Sequence, residues 1–402
     1  MKILLVGGGS GGHVTPVVAV AKKIHDVDTE AEIRIWTDKK FAKQTADLAP
    51  DFAKISVISS GKFRRYANLK FLNKYFSWYH ITKTHLPNLV DSGKIFGGFL
   101  QSVIKLKKWR PDVIFAKGGY VCLPVGIAAH FLKIPLVIHD SDTVPGLTNR
   151  VLSRWASAIA TGSPVENYPA YPKKITHFVG IPVRETFANY DKKARAEIKL
   201  ELGLDPKKKL IFVAGGGGGA AIFSTVFREI APKILTEFDS QIFLLTGKNK
   251  AFSVADYAKK FEINVREKIN QNFIVKDFVS EEYPDLLNAC DVFITRAGAT
   301  SLAEAAVSET ATIIIPSPFL AGDHQTKNAE IFAEAGAAFS LKQNATEDKP
   351  DPKLTEEMQE KIQILLGNNG EKIRGELGKN LSKFARTDAL DQIVKMIFGA
   401  VK

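Results

Sequence analysis

Short apolar runs alternate along the chain with longer amphipathic or polar stretches. In the first half these runs are Ile3–Val6, Glu32–Thr37, Val113–Ala116, Pro135–His139 and Ala158–Ala160. Strand-length apolar runs separated by helix-length segments are typical of α/β folds with mainly parallel sheets. The pattern therefore predicts a doubly wound α/β architecture.

The same order of elements begins again in the second half. A short strand is predicted around Phe178–Arg184, then a charged helix at Lys192–Leu202. A new first strand and helix follow at Leu210–Ala214 and Ala220–Ile230, with later strands at Gln241–Thr246, Phe273–Lys276, Val292–Thr295, Thr312–Pro316 and Ala338–Leu341. We expect two Rossmann-like domains facing across a cleft, residues 1–185 and 186–379. A C-terminal helix at about 380–402 is expected to pack back on the first domain.

A glycine-rich loop, Gly7–Gly12, follows the first strand, and His13 comes directly after it. Glycines let the backbone bring bare N–H groups close to a ligand, so a loop between strand and helix suits phosphate or pyrophosphate. Pro16 is expected in the first turn of the following helix. No Gly-Lys-Ser/Thr follows, so the loop is not a P-loop.

The loop by itself leaves two interpretations open. Gly7, Gly9 and Gly12 satisfy the dinucleotide-binding pattern G-x-G-x-x-G, and Asp38 at the end of the second strand could bind a ribose. A second glycine loop, Gly215–Gly219, follows the first strand of the second half. One dehydrogenase domain would explain only one of the loops, so the pair favours two anion sites.

Polar residues also follow later strands of the second half. Ala299, Thr300 and Ser301 would lie at a helix N-terminus suited to a pyrophosphate. Glu304, one turn further on, could accept two hydroxyls of a ribose, or could only complement the helix dipole. The cluster Gly322–Ala329 at another helix entrance has amides and hydroxyls suited to a sugar.

Composition narrows the class of protein. The 402 residues are 45% hydrophobic with a mean hydropathy of −0.04, as expected of a globular protein, and no apolar run suggests a membrane span. Met1–Val6 resembles a core strand rather than a signal peptide. Cys122 and Cys290 stand alone in apolar segments and are expected in the core, so we expect a cytoplasmic protein.

The formal net charge of +12 is concentrated in residues 61–110, which hold eleven Lys/Arg against one acid, Asp91, and ten aromatic residues. Basic and aromatic residues interleaved in this way suit an anionic membrane surface. A helical excursion with its aromatic side chains packed inward is the alternative. Nucleic acid is not expected, because no recognisable nucleic-acid module accompanies the stretch.

Together these motifs resemble the GT-B glycosyltransferases, and within them the enzymes that add N-acetylglucosamine to lipid I in peptidoglycan synthesis. The resemblance covers nearly the whole chain. The resemblance rests on eight segments: Gly8–Pro16, Lys117–Val121, Pro124–Gly126, His139–Asp142, Pro145–Arg150, Val179–Arg184, Arg296–Glu304 and His324–Ala329.

The resemblance implies an inverting transfer from UDP-N-acetylglucosamine to the 4-hydroxyl of the muramyl sugar of undecaprenyl-pyrophosphoryl-muramyl-pentapeptide, lipid I, which gives lipid II. It implies that the acceptor binds the N-terminal domain and the donor largely the C-terminal one. It also implies a peripheral enzyme at the cytoplasmic face of the cell membrane, with no cofactor and no metal. No acidic pair in the sequence suggests a bound divalent ion.

Direct displacement at the anomeric carbon needs a base for the acceptor hydroxyl and stabilisation of the departing pyrophosphate. His13 is the candidate base and Asp140 the alternative, while His13 could instead only hydrogen-bond the acceptor pyrophosphate. By the resemblance, donor contacts fall on Ser10, Gly11, Gly12, Asp142, Arg184, Gly217, Val279, Ala299, Thr300, Ser301, Leu302, Ala303, Glu304 and Gln325. Acceptor contacts fall on Gly8, Gly9, Thr15, Gly118, Gly119, Tyr120 and Asn149.

Some residues depart from the family pattern. Asp142 stands where an Asn is usual, Gly217 and Gly218 replace Ser and Gln, and Thr300 replaces a common Leu. Two other activities therefore stay open: a GT-B enzyme acting on another lipid, and a UDP-N-acetylglucosamine 2-epimerase. A nicotinamide oxidoreductase is a more distant alternative.

Overall fold

The computed structural model describes residues 1–62, 85–216, 218–248, 250–319, 324–347 and 349–401. The chain divides into two compact units, Met1–Val183 with Arg386–Lys402, and Arg184–Phe319 with Gln325–Ala385. Predictions for Gly217, for Gly322 and Asp323, and for residues 63–84 lie outside the described residues. The last segment carries seven of the ten aromatic residues counted between 61 and 110.

A seven-stranded parallel sheet forms the first unit, in the order β3-β2-β1-β4-β5-β6-β7. Its strands are β1 Lys2–Gly7, β2 Glu32–Thr37, β3 Lys54–Val57, β4 Val113–Gly118, β5 Leu136–Asp140, β6 Ala158–Thr161 and β7 Thr176–Phe178. Successive side chains of a strand point to opposite faces, so Ile3 and Leu5 enter one core while Leu4 and Val6 enter the other.

Helices cover both faces of this sheet. They are α1 Gly11–Val27, α2 Ala42–Leu48, α3 Leu86–Trp109, α4 Cys122–Phe131 and α5 Leu147–Leu152. The helix α1 begins directly in the glycine loop, so Pro16 lies inside the helix and the prediction that it marks the first turn was wrong. His13 therefore belongs to the first turn of α1.

The second unit has a six-stranded parallel sheet in the order β10-β9-β8-β11-β12-β13. Its strands are β8 Lys209–Ala214, β9 Ser240–Leu245, β10 Phe273–Lys276, β11 Val292–Thr295, β12 Thr312–Ile314 and β13 Phe339–Ser340. Its helices are α6 Lys192–Glu201, α7 Ala221–Glu237, α8 Val254–Ala258, α9 Ile263–Asn272, α10 Tyr283–Ala289, α11 Ala299–Val307, α12 His324–Glu334, α13 Pro352–Leu366 and α14 Gly370–Ser382. The doubly wound parallel α/β architecture is thereby confirmed.

The last helix, α15 Ala389–Gly399, belongs to the first unit. Leu390, Ile393, Val394 and Ile397 lie in the core beside α1, and Asp391 pairs with Lys23 at 3.0 Å. In the described part of the chain no helix is both long and apolar enough to span a bilayer.

Strand order identifies where each sheet can bind a ligand. All strands run parallel, but successive strands are added outward in opposite directions from one point in each sheet. That point lies between β1 and β4 in the first sheet and between β8 and β11 in the second. Ligands of doubly wound folds bind outside the carboxyl ends of strands at such switch points. In the first unit Gly7 pairs with Gly118, so the loops that follow β1 and β4 lie side by side.

Candidate active site

The glycine loop after β1 is held by a buried carboxylate. Gly9 N–H donates to Asp38 Oδ2 at 2.6 Å, and Lys40 N–H donates to Asp38 Oδ1 at 2.9 Å. A side chain on Gly8 would place its Cβ 2.3 Å from Asp38 Oδ2. Asp38 therefore fixes the loop, which argues against the alternative that its carboxylate binds the ribose of a dinucleotide.

His13 has one defined tautomer. Its Nδ1 lies 2.8 Å from the Gly8 carbonyl oxygen and 3.1 Å from Ser10 Oγ. A carbonyl can only accept, so Nδ1 carries the hydrogen and Nε2 keeps the lone pair of the neutral ring. The Nε2 atom faces Gly118 and Asn149, since a Cβ on Gly118 would lie 3.5 Å from Nε2 and from Asn149 Nδ2.

The loop after β4 packs directly on the loop after β1. Gly119 has a φ of +85°, and a Cβ on it would lie 2.1 Å from Gly8 O and 2.9 Å from His13 Nδ1. Tyr120 lies against Gly9, where an added Cβ would meet its ring at 2.8 Å. The structure thus brings together six residues predicted for the acceptor: Gly8, Gly9, Gly118, Gly119, Tyr120 and Asn149.

Lys117 is a buried cation that the sequence interpretation did not select as a site residue. It follows Val113 and Phe115 on the face of β4 covered by α1, it is only 1% exposed, and its ammonium donates to Ser141 Oγ. Burial lowers the pKa of Lys117 to about 8, while the charges of Asp140 and Asp142 raise it.

Burial and the Lys117 charge also determine the protonation of two histidines. They lower the pKa of His13 to about 4, against opposing effects of the Gly8 carbonyl, Asp142 and Asp38. The same two causes lower the pKa of His139 well below its ordinary value, and its Nε2 hydrogen-bonds Gly180 O at 2.8 Å. Both imidazoles are therefore neutral at neutral pH.

Asp140, the alternative base, is occupied by structural hydrogen bonds. Its Oδ2 accepts from Tyr171 Oη at 2.7 Å and from Gly146 N–H at 3.0 Å. Burial raises the pKa of Asp140, and the Tyr171 hydrogen bond lowers it. These contacts hold the loop after β5, where Asn149 Nδ2 donates to His139 O at 2.8 Å. In the described chain Asn149 Oδ1 is buried without a hydrogen-bond partner.

The remaining predicted residues of the first unit line the start of α1 and the loop after β5. Ser10 is the N-cap of α1, Gly11 is buried and Gly12 is half-buried. Thr15 Oγ1 donates back to Gly11 O at 3.3 Å. Asp142 is half-buried, and its carbonyl accepts from Tyr168 Oη at 2.7 Å. Its carboxylate charge raises the pKa of His13.

In the second unit, α11 begins immediately after the loop that follows β11. Ala299, Ser301 and Ala303 are half-buried, whereas Thr300 and Glu304 are buried. Leu302 is fully buried and packs with Ala297, Ile314, Ala329 and Ala338, so only its backbone can reach a ligand. The α11 N-terminus therefore offers backbone N–H groups and the Ser301 hydroxyl.

Glu304 is a carboxyl group held inside the unit. Burial raises the pKa of Glu304 to about 8, and the Arg184 charge acts against that rise. Tyr283 lies beside it and hydrogen-bonds Ser301, and burial raises the pKa of its phenol well above its ordinary value. Arg184 Nε is buried without a hydrogen-bond partner in the described chain, and its guanidinium lies 5.2 Å from the centre of the Phe187 ring.

The other predicted donor residues lie on different loops of the second unit. Val279 is buried on the loop after β10, and Gln325 Oε1 accepts from Ser317 N–H at 2.8 Å. The second glycine loop closes with Gly219 N–H donating to Gly216 O at 2.9 Å, immediately before α7.

Arg296 anchors the loop between β11 and α11, a role that sequence reasoning missed. Its guanidinium is buried, pairs with Glu347, and donates to Ile315 O at 3.0 Å and Gln343 Oε1 at 2.7 Å. Glu347 Oε2 also accepts from Ile222 N–H at 3.4 Å, near the start of α7. This network links the two loops at the switch point of the second sheet.

Two further properties bear on ligands. Within the described ranges no three His, Cys, Asp or Glu side chains come together as a metal site.

Large apolar side chains are exposed on α3, where Leu89 is 71%, Phe96 62% and Ile104 68% exposed. Phe131 of α4 is 68% exposed and contacts Phe99 edge to face at 5.6 Å. Contiguous exposed apolar surfaces are typical of interaction sites.

Comparison with known proteins gives one consistent result. Residues 3–161 match the glycosyltransferase family 28 N-terminal domain, and residues 210–385 match the family 28 C-terminal domain. A protein of Natranaerobius thermophilus is 30% identical over 87% of this chain and 88% of its own length. A protein of Caldanaerobacter subterraneus subsp. tengcongensis is 30% identical over 99% of each chain.

Both relatives are named UDP-N-acetylglucosamine–N-acetylmuramyl-(pentapeptide) pyrophosphoryl-undecaprenol N-acetylglucosamine transferase. The crystal structure of Acinetobacter baumannii MurG superimposes with a TM-score of 0.64 at 21% identity and covers 99% of each chain. That likeness concerns the fold.

Proposed function

The chain belongs to glycosyltransferase family 28, and from that membership we propose that it transfers N-acetylglucosamine from UDP-N-acetylglucosamine to lipid I, giving lipid II for the cell wall. The 4-hydroxyl oxygen of the muramyl sugar attacks the anomeric carbon of N-acetylglucosamine. The bond from that carbon to the β-phosphate oxygen breaks, UDP leaves with the electron pair, and the configuration inverts.

The observation that carries the assignment of His13 as the base is its tautomer. With Nδ1 donating to Gly8 O, the unprotonated Nε2 faces Gly118, between the loops that follow β1 and β4. A base must reach the proton that it removes, and Nε2 is free to accept one. His13 accepts the acceptor proton, whereas Asp140 is held by Tyr171 and Gly146 and maintains the loop after β5.

A bound acceptor strengthens this base. The backbone N–H groups at the start of α1 and in the loops that follow β1 and β4 suit the acceptor diphosphate. Its negative charge beside the imidazole favours the protonated ring and so raises the pKa of His13 from about 4 toward the working pH. His13 thereby becomes a more effective base when substrate is present.

The second unit supplies the donor site in this proposal. The N-terminus of α11 with Ser301 and the guanidinium of Arg184 stabilise the charge that develops on the departing UDP. Glu304 accepts the two ribose hydroxyls. Val279, Gln325 and the second glycine loop with Gly217 complete the donor contacts of this unit. The donor contacts of Ser10, Gly11, Gly12 and Asp142 stay predictions of the family resemblance. None of these roles needs a metal.

The exposed apolar side chains of α3 suggest how the chain meets a lipid-linked acceptor. Leu89, Phe96 and Leu100 are spaced seven and four residues apart and so lie on one face of the helix. An apolar helix face flanked by lysines enters the interface of an anionic membrane. We propose that this face brings the enzyme to the cytoplasmic face of the cell membrane as a peripheral protein.

The direct test is transfer of radiolabelled N-acetylglucosamine from its UDP donor to a short-chain lipid I analogue in the presence of chelator. A labelled disaccharide lipid that still forms with chelator supports both the reaction and its metal independence. Transfer only to another lipid, such as diacylglycerol, would contradict the acceptor assignment. Epimerisation of UDP-N-acetylglucosamine without any acceptor would contradict transferase activity.

A further inference from the structure

Lys117 carries a buried positive charge that the transfer described above does not use. It lies at the end of β4, directly before the loop that begins with Gly118 and Gly119, and it is 1% exposed. A buried ammonium is unfavourable unless an anion pairs with it and its three N–H groups find acceptors. The surroundings of Lys117 therefore indicate whether it has a counter-ion.

Its immediate contacts do not include one. Among the residues that the structure describes, Lys117 makes a single hydrogen bond, to Ser141 Oγ, and no ion pair. The pairing of β4 with β5 places His139 beside it on the same face of the sheet. His139 donates through Nε2 to Gly180 O, and its Nδ1 is buried without a hydrogen-bond partner in the described chain. The nearest neighbour of the ammonium on the sheet is thus a neutral ring.

The charged groups around Lys117 compensate it only in part. Asp140 and Asp142, on the loop after β5, raise its pKa, but burial outweighs them and lowers it to about 8. The thiol of Cys122 on α4 also faces it, and burial raises the pKa of that thiol to about 12, so it is neutral at neutral pH. His13 of α1 is neutral as well. Negative charge is therefore lacking on the side of α1 and β4.

That side is where the candidate site offers N–H groups to an anion. Gly119 packs directly on Gly8, so the loops after β1 and β4 meet beside the first turn of α1. The charge of Lys117 acts at this point, because it lowers the pKa of His13, whose Nε2 faces Gly118. A cation that disfavours a positive charge on His13 favours an anion bound next to it.

We propose that Lys117 is the buried counter-charge of the acceptor diphosphate: it attracts the anion from beneath the loop after β4, and the bound anion supplies the negative charge that the protein lacks there. This role rests on the proposed function and adds a residue to it. Lys117 acts as a positioning residue, because its ammonium is buried and holds Ser141 rather than the substrate.

Ser141 provides the matched control, since it shares the hydrogen bond with Lys117 but carries no charge. If Lys117 serves only to hold the loop after β5, Ser141→Ala and Lys117→Met break the same contact and have the same effect. If Lys117 is a counter-charge, only Lys117→Met weakens the binding of an anion.

The experiment is a calorimetric titration of the full-length chain with geranyl diphosphate, a water-soluble prenyl diphosphate, while UDP saturates the donor site. Near neutral pH Lys117→Met is expected to weaken binding by about tenfold, whereas Ser141→Ala should leave it nearly unchanged. Equal losses in the two variants would overturn the counter-charge. Absence of binding to the wild type would overturn the placement of the diphosphate beside Lys117.

Proton uptake is a second readout, which a purely structural role would not change. The protonated lysine binds the anion more tightly, so wild-type affinity should fall as the pH rises past about 8 and approach that of Lys117→Met. At about pH 8.5 wild-type binding should take up about half a proton, seen as heats that depend on the ionisation enthalpy of the buffer. Lys117→Met should take up none, and the same uptake in both proteins would contradict the proposal.

The transfer assay separates this role from the proposed reaction. Lys117→Met should raise KM for the short-chain lipid I analogue by about tenfold and leave KM for UDP-N-acetylglucosamine unchanged. Wild-type transfer combined with an unchanged acceptor KM in the variant would overturn the counter-charge alone. Tight, Lys117-dependent binding of geranyl diphosphate without any transfer would instead support the counter-charge and contradict the proposed reaction.

Discussion

His13 donates the hydrogen on Nδ1 to the carbonyl oxygen of Gly8 at 2.8 Å. The bond joins the first turn of α1 to the loop that precedes it, and it leaves Nε2 as the basic nitrogen. Gly119 packs so closely on Gly8 that no side chain fits between them. Two loops from distant parts of the chain thus orient one imidazole.

Replacing His13 by Ala should reduce kcat by roughly 10²–10⁴-fold, the range expected for loss of a general base. Affinity for UDP should change little, because the donor contacts that we propose are mostly in the second unit. Steady-state kinetics and calorimetric titration with UDP measure the two effects. The control is Asp140→Asn, which keeps acceptors for Tyr171 and Gly146 and should retain more activity than His13→Ala. The reverse order would assign the base to Asp140.

Replacing Lys117 by Met should raise the pKa of His13, because a neighbouring positive charge that disfavours the imidazolium is removed. The acid limb of kcat/KM reports the free enzyme and should therefore move from about pH 4 to higher pH. The pH dependence of kcat/KM and an NMR titration of the histidine ring measure this. An unchanged limb would show that Lys117 does not act on His13.

The same Lys117→Met variant should also be more stable. Burial lowers the pKa of Lys117 from 10.5 to about 8, so its charged form destabilises the folded state below about pH 8, and this cost disappears as the pH rises toward 10.5. At neutral pH the variant should gain up to about 3 kcal/mol in the free energy of unfolding. Urea unfolding of both proteins at neutral pH and near pH 10 measures the difference, which should shrink at the higher pH.

UDP affinity should depend on pH through Glu304. Burial raises the pKa of this carboxyl to about 8, and ribose hydroxyls donate to its ionised form. Binding should therefore weaken by about tenfold for each pH unit below 8. In Glu304→Gln, which keeps the shape without the charge, affinity should be lower at high pH and independent of pH. Wild-type affinity that stays level across this range would exclude contact between the ribose and the carboxylate.

Gly118 and Gly119 form a matched pair, because both have positive φ but only one is tightly packed. A Cβ on Gly119 would lie 2.1 Å from Gly8 O, whereas the nearest atoms to a Cβ on Gly118 are at 3.5 Å. Gly119→Ala should lose about 3 kcal/mol or more of stability, and Gly118→Ala about 1–2 kcal/mol from backbone strain.

Gly118→Ala should nevertheless lose activity, because its methyl group would cover His13 Nε2. Urea unfolding and kcat for both variants separate these effects. Equal unfolding midpoints would show that the loops do not need close contact.

Most strands could be predicted because buried parallel strands read as continuous apolar runs. Phe273–Lys276 and Val292–Thr295 are confirmed at the same bounds. The strand Lys54–Val57 was missed because its four residues alternate between polar and apolar; it lies at the edge of the sheet and pairs only with Glu32–Thr37. The start of α1 was placed too late, because the glycines at its N-terminus conceal the first turn.

Sequence alone determined the order of the elements and the glycine loops, because these depend on local periodicity and on residues without side chains. It also determined the family. The tertiary structure decided which loops meet, since the pairing of β1 with β4 joins residues more than a hundred positions apart. For the same reason the burial of Lys117, the tautomer of His13 and the network of Arg296 followed only from the fold. Each depends on neighbours that distant segments supply. Those neighbours exclude water and place charges or hydrogen-bond partners beside the group, and so determine its protonation and its contacts.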